Sequence, residues 1–228
     1  LSIKARDLEM NHLDIIWRLA NAGEFRDSET GNHVVRVGYY SWIIARQLGL
    51  EEDFCRTIFL TSPLHDIGKI GIPDEILMKP SALSESERLR MMEHCLIGAN
   101  ILMSNPVGLF PARIAGQEPP VEVSGLHVSN PFIEMAASIA LSHHEHWDGN
   151  GYPMEIAGED IPMEARIVAV ADVFDALISR RRYKPAYSLE HSVSTLEESA
   201  GAQFDPAVVD AFRAAVHDLE EVHKQFSD

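Results

Sequence analysis

Apolar residues recur at helical spacing along almost the whole chain, and no stretch of useful length alternates as a half-buried strand would. That pattern predicts an all-α fold. Residues 3–22 read as a first helix, with Leu8, Ile15, Ile16 and Leu19 on one side. Residues 30–48 read as a second, with Val34, Val37, Tyr40, Ile44 and Leu48 in register and Gly49 as its stop. A third runs from about Asp53 to Asp66, kinked near its end by Pro63. Ser84 and Glu87 form a capping box that opens a helix through Leu102. Helical patterning resumes over residues 133–146 and 163–180, then over 188–200 and 206–225.

Between these helices, residues 104–132 change character. Pro106, Pro111, Pro119, Pro120 and Pro131, with several glycines, break any long helix, so the segment reads as an irregular insertion in a helical core. The chain of 228 residues is divided into an N-terminal linker helix, residues 1–22, and one domain over 23–228. Because it starts at Leu1, it is expected to be a fragment whose upstream partner is missing.

Charge narrows the function. With 19 basic against 35 acidic side chains the net charge is −16, which argues against coating DNA or RNA. An anionic substrate must then meet local positive charge, from bound cations and a few basic residues. The bland alternative is that acidity only keeps the protein soluble. No uncharged apolar run approaches the roughly 18–20 residues of a membrane span, and no signal-peptide pattern opens the chain. Cys55 and Cys95 fall in apolar helical patterns, as buried thiols do in a reducing cytoplasm, and the expected location is cytoplasmic.

The candidate chemistry lies in two segments, Ser62-Pro63-Leu64-His65-Asp66-Ile67-Gly68-Lys69 and His143-His144-Glu145-His146-Trp147-Asp148-Gly149-Asn150-Gly151-Tyr152-Pro153. An adjacent His-Asp pair offers an imidazole nitrogen and a carboxylate oxygen, a mixed set suited to Fe, Mn, Zn or Ni. Their glycines are read as openings through which substrate reaches the backbone. Neighbouring His143 and His144 point about 100° apart on a helix and can serve different cations. Asp172 interrupts one of the most apolar helices of the chain; its bland reading is a pair with Arg166 or a cap on another element, and Asp175 one turn on could orient a ligand histidine. His33, four residues after Glu29, and His94, on an apolar helix face, are each weak signals alone: a solvated contact and a satisfied core histidine compete with ligation. His146 is assigned to the surroundings of the site or the surface, and His127 to the surface.

Taken together, these segments resemble the HD-GYP domain, a bacterial branch of the HD phosphohydrolase superfamily that cleaves cyclic dinucleotides. The match spans about residues 24–215. The resemblance implies an HD-superfamily helical bundle in which His33, His65, Asp66, His94, His143, His144 and Asp172 ligate metal, with Glu29 the added carboxylate of a trinuclear site. It implies two or three divalent cations, iron first, with manganese, nickel or zinc the others. Lys69 would bind a substrate phosphate oxygen or stabilise the leaving oxygen beside His65 and Asp66, with Asp66 bridging two cations. Arg181 and Lys184, in the basic run Arg180-Arg181-Arg182-Tyr183-Lys184, would hold phosphate, and Gly151, Tyr152 and Pro153 would contact the bases or a partner. Arg182 stands where the family pattern has Pro.

The implied reaction is hydrolysis of cyclic di-GMP to linear pGpG and then, with a third cation, to GMP. The His94–His143 spacing is longer than usual in the family, so cyclic GMP-AMP is an alternative substrate. A general nucleotide or phosphomonoester hydrolase, and a non-catalytic module that binds dinucleotide or a GGDEF-type partner, are the competing readings. The expected associations are an upstream receiver or sensory domain and a homodimer through the N-terminal helix.

Overall fold

The protein, obtained as a computed structural model, is described over residues 14–23, 31–104, 130–179 and 186–227. Helix α1 covers 14–23, followed by α2 (Gly31–Gln47), α3 (Glu52–Thr61), α4 (Asp74–Leu77), α5 (Glu85–Met103) and α6 (Pro131–Ser142). The rest are α7 (Met163–Ile178), α8 (Leu189–Glu198), α9 (Pro206–Ala214) and α10 (Val216–Gln225). Among the described residues there is no strand, only an isolated bridge between Ala200 and Phe204. No described helix is long and apolar enough to cross a membrane.

Helix α2 is the axis, packed by α3, α7, α9 and α10. Its fully buried Val37, Tyr40 and Ile44 meet Ile58 of α3, Val170 and Phe174 of α7 and Phe212 of α9 in one apolar cluster. Tyr40, Phe174 and Phe212 form a chain of edge-to-face rings with centroids 5.3 and 5.0 Å apart. Burying each such side chain stabilises the fold by about 1.5–3 kcal/mol. Gly49, at φ +74°, ends α2, and the Leu50 N–H reaches back to the Ala45 carbonyl.

Several boundaries differ from expectation. Helix α3 stops at Thr61, and the chain then turns through two 3₁₀ segments, Ser62–Leu64 and Ile67–Gly71, with His65 and Asp66 at the junction. Pro63 lacks the N–H that would continue the α-helix. At Gly68 a Cβ would collide with the His94 carbonyl, so glycine lets this turn lie directly on α5. Helix α6 ends at Ser142, so the histidine pair sits beyond its last turn. The expected helix over 206–225 is divided at Ala215, whose N–H is shared between the Ala211 and Phe212 carbonyls.

In α1, Ile16, Trp17 and Ala20 pack against Val34, Leu64 and Ala136, while Ile15 and Leu19 face outward. The expected single apolar side of that helix is therefore split. The expected insertion at 104–132 lies almost wholly outside the described residues.

Candidate metal centre

The site is assembled from four helices and a turn. His33 lies in the first turn of α2, His94 at mid-α5, His143 at the C-cap of α6 with His144 after it, and Asp172 at mid-α7. The turn that Pro63 and Gly68 shape carries His65 and Asp66 between them. Ring centroids form an unbroken series: His33–His65 5.5 Å, His65–His143 5.2 Å, His143–His144 4.1 Å and His94–His144 5.1 Å.

Hydrogen bonding fixes which nitrogen each ring presents. Nδ1 of His65 is 2.8 Å from the Ser62 carbonyl, that of His94 2.7 Å from the Met91 carbonyl, and that of His143 3.0 Å from the Ile139 carbonyl. Nδ1 of His33 is 2.8 Å from Asp175 Oδ2. Carbonyl and carboxylate oxygens only accept, so each Nδ1 carries a proton, and each ring in its neutral form turns an Nε2 lone pair inward. Nε2 of His65, Nε2 of His143 and Oδ1 of Asp66 are buried without a hydrogen-bond partner. Three electron-pair donors without a proton to accept are costly to bury unless a cation faces them.

Two groups of ligand atoms each lie within 4.8 Å of one another: Asp66, His94, His143 and His144, and separately His33, His65 and Asp172. Asp66 stands between them. Its Oδ1 is 3.2 Å from His94 Nε2 and 3.6 Å from His143 Nε2, and its Oδ2 is 3.3 Å from His65 Nε2. Asp172 Oδ1 is 3.6 Å from His33 Nε2 and 3.9 Å from His65 Nε2. Imidazole nitrogens mixed with carboxylate oxygens fit mid-series divalent cations. Lys69 reaches the same pocket, its Nζ 2.7 Å from Asp66 Oδ2.

Electrostatics follow from this crowding. Burial pushes the Asp66 carboxyl up, but Lys69 and His65 override it and hold the group well below the usual carboxylate range. Burial lowers His143 and, more strongly, His144, whose neighbour His143 adds to the effect.

The pairing of Asp172 with Arg166 does not hold, because Arg166 pairs with Asp205 at 2.7 Å and covers the Trp147 ring. Asp175 orients His33, as expected. The glycine reading changes, however. A Cβ at Gly151 would collide with the Glu145 and His146 backbone, so the absent side chain serves chain packing. The segment folds back on the histidine pair: the Tyr152 N–H donates to the His144 carbonyl, and the Tyr152 ring stacks on His144 with centroids 4.7 Å apart. Pro153 follows through a cis peptide bond.

Two residues escaped the sequence reading. Glu145, 3% exposed, accepts from the Met154 N–H at 2.6 Å and the Ile156 N–H at 3.2 Å, which anchors the loop carrying Tyr152. Arg36, 1% exposed, donates to both oxygens of Asp175. Its signal was a cation between the apolar positions Val34 and Val37, three residues after His33. Cys55 and Cys95 are free, buried thiols, and His146 is half-buried in neither ligand group. Glu29, His127, Arg181 and Lys184 lie outside the described residues.

The family model described as HD domain matches residues 21–118 and 120–208. The chain is 41% identical over 221 residues to the cyclic di-GMP phosphodiesterase response regulator RpfG of Xanthomonas campestris pv. campestris, covering 97% of this chain and 52% of that protein. It is 38% identical over 204 residues to 3'3'-cGAMP-specific phosphodiesterase 2 of Vibrio cholerae, covering 90% of this chain and 35% of the relative. The chain spans about half the length of the curated relatives it matches. Among solved structures, the V. cholerae cyclic GMP-AMP-specific phosphodiesterase V-cGAP3 shares the fold, with a TM-score of 0.62 at 21% identity over 95% of this chain and 51% of that one.

Proposed function

This chain belongs to the HD domain family, in its HD-GYP branch, and from that premise we propose that it is a metal-dependent phosphodiesterase hydrolysing cyclic di-GMP. The observation that carries the proposal is the set of Nδ1-anchored histidines whose Nε2 atoms surround a shared Asp66. Asp66, His94, His143 and His144 would hold one cation, and His33, His65 and Asp172 a second, with Asp66 reaching both. Bound divalent cations, with iron preferred over manganese, nickel or zinc, supply Lewis acidity toward water and the phosphoryl oxygens.

The chain's own groups do the rest. Lys69, beside Asp66, neutralises charge on the leaving or equatorial oxygen. The carbonyls behind His65, His94 and His143 keep the rings from rotating, so the reacting geometry is fixed before substrate arrives. Tyr152, Gly151 and Pro153 form the wall against which a guanine base rests, with Arg181 and Lys184 assigned to its phosphates. The first product is linear pGpG; cleavage on to GMP is assigned to a third cation at Glu29.

The second reading, cyclic GMP-AMP as substrate, is supported by the V. cholerae relative, nearly as similar as the Xanthomonas one. The remaining assignments are residues 1–22 as a linker helix ahead of a domain over 23–228, an upstream receiver or sensory domain as the response-regulator relative suggests, a GGDEF-type partner, a cytoplasmic location, and a homodimer through the outward Ile15 and Leu19.

The test is metal quantification on anaerobically prepared protein, then product analysis with cyclic di-GMP, cyclic GMP-AMP and a simple phosphomonoester. At least two cations per chain and pGpG formation are expected, both lost in Asp66→Ala. Turnover of cyclic GMP-AMP alone selects the second reading. Metal-replete protein that binds dinucleotides without cleaving them would leave only a signalling module.

A further inference from the structure

The first ligand group has a support that reaches the end of the chain. The Arg36 guanidinium is fully enclosed and holds three acceptors: Nε donates to Asp175 Oδ1 at 2.6 Å, Nη2 to Asp175 Oδ2 at 3.0 Å, and Nη1 to the Phe226 carbonyl at 2.8 Å. The same Asp175 Oδ2 accepts from His33 Nδ1 at 2.8 Å. A planar fork clamped at three points cannot swing, so the carboxylate it grips cannot rotate away from the imidazole. Phe226 is itself seated at the C-cap of α10. Its ring stacks on Tyr39 of α2 at 5.3 Å and 21°, and Tyr39 meets Phe59 edge-on at 5.0 Å.

We propose that Arg36 is a positioning residue that fixes His33 through Asp175, and that docking of Phe226 on α2 completes the clamp, so that the last helix sets cation affinity at the His33–His65–Asp172 position. The inference rests on the reading of that group as a cation site. Its consequence is selective. In the second group, the His94 and His143 rings are tied to the Met91 and Ile139 carbonyls of their own elements rather than to Asp175. Loosening the clamp weakens one cation position and spares the other.

Lysine at 36 keeps the charge and loses the fork. Alanine at 226 removes the stacked ring and leaves Arg36 and its carboxylate in place. Titration of metal-free full chain with Mn²⁺ reads both positions without substrate, and Asp172→Asn identifies which binding class belongs to His33. Arg36→Lys is expected to weaken that class about 10- to 100-fold, as loss of an outer hydrogen-bond partner does, with the other class unchanged. Phe226→Ala, remote from the cations and the variant least prone to misfold, is expected to weaken the same class by a smaller factor. Equal weakening of both classes with a matching fall in melting temperature would show a merely structural role and overturn the inference. So would two unaltered classes in both variants. A wild-type chain that takes up no Mn²⁺, Fe²⁺ or Zn²⁺ would remove the metal reading itself, and the inference with it.

Discussion

A buried carboxylate that contacts no cation still has to be matched, and Glu145 shows how. Its two oxygens receive the Met154 and Ile156 N–H groups, closing the loop over His144 and bringing the Tyr152 ring onto the imidazole. Glu145→Gln keeps the shape, but turns an amide NH₂ toward one of those donors. It is expected to cost about 1–3 kcal/mol in urea unfolding, with a larger loss in turnover because Tyr152 shifts. Unchanged stability would mean that the loop is held by its backbone contacts alone. Gly151→Ala tests the same loop from the other side, since its Cβ has backbone of Glu145 and His146 in its way. An overpacking cost of about 1–3 kcal/mol is expected, readable in the same unfolding experiment. The adjacent pairs His65-Asp66 and His143-His144 stood out in the sequence, whereas His33 and His94 were weak signals that only the family resemblance ordered. Glu145 was not legible, because nothing local distinguishes a loop anchor from a solvated glutamate.

Helix α5 carries His94 and is pinned at its start by a capping box. Ser84 Oγ accepts from the Glu87 N–H, and Glu87 accepts from the Ser84 N–H and pairs with Lys79. Ser84→Ala is expected to cost about 1 kcal/mol, seen as a lower denaturation midpoint. Lys79, with the Ser84 hydrogen bonds, lowers the Glu87 carboxyl from 4.5 to about 2. A depressed folded-state value stabilises above the unfolded value and fades below it. The difference in unfolding midpoint between wild type and Glu87→Gln should therefore be full above pH 4.5 and close as pH falls toward 2. A difference that persists at the acid end would remove the ion pair as its cause. This cap was readable from Ser84 and Glu87 alone, as were the helical spans of α2, α5 and α7. The break at Ala215 was not, because no Gly or Pro marks it. The 3₁₀ turns around His65 and Asp66 were only half legible: Pro63 signalled a stop, but the contact of Gly68 with α5 is a tertiary fact.

At the scale of the molecule, the fold brings five imidazoles and two carboxylates, from four helices and a turn, into two adjoining groups, buried except for the half-buried His144 and Asp172. Apolar packing around Tyr40, Phe174 and Phe212 holds α2, α6 and α7 together. At the pocket itself the helices meet through polar groups, which stabilise the fold only when something of opposite charge completes them. Cation binding should then act as folding energy. Each position filled at 100 times its dissociation constant contributes about 2.7 kcal/mol, and for a chain of this size each kcal/mol moves the melting temperature by about 2–4 °C. Exhaustive chelation is expected to lower the wild-type melting temperature by about 5–10 °C per position emptied, and restoring Mn²⁺ should reverse the loss. In Asp66→Asn, where the carboxylate that faces both groups is gone, the chelator-dependent shift should shrink. A wild-type chain that melts at the same temperature with and without chelator would mean that the pocket closes around its own hydrogen bonds, and that no cation bridges the helices.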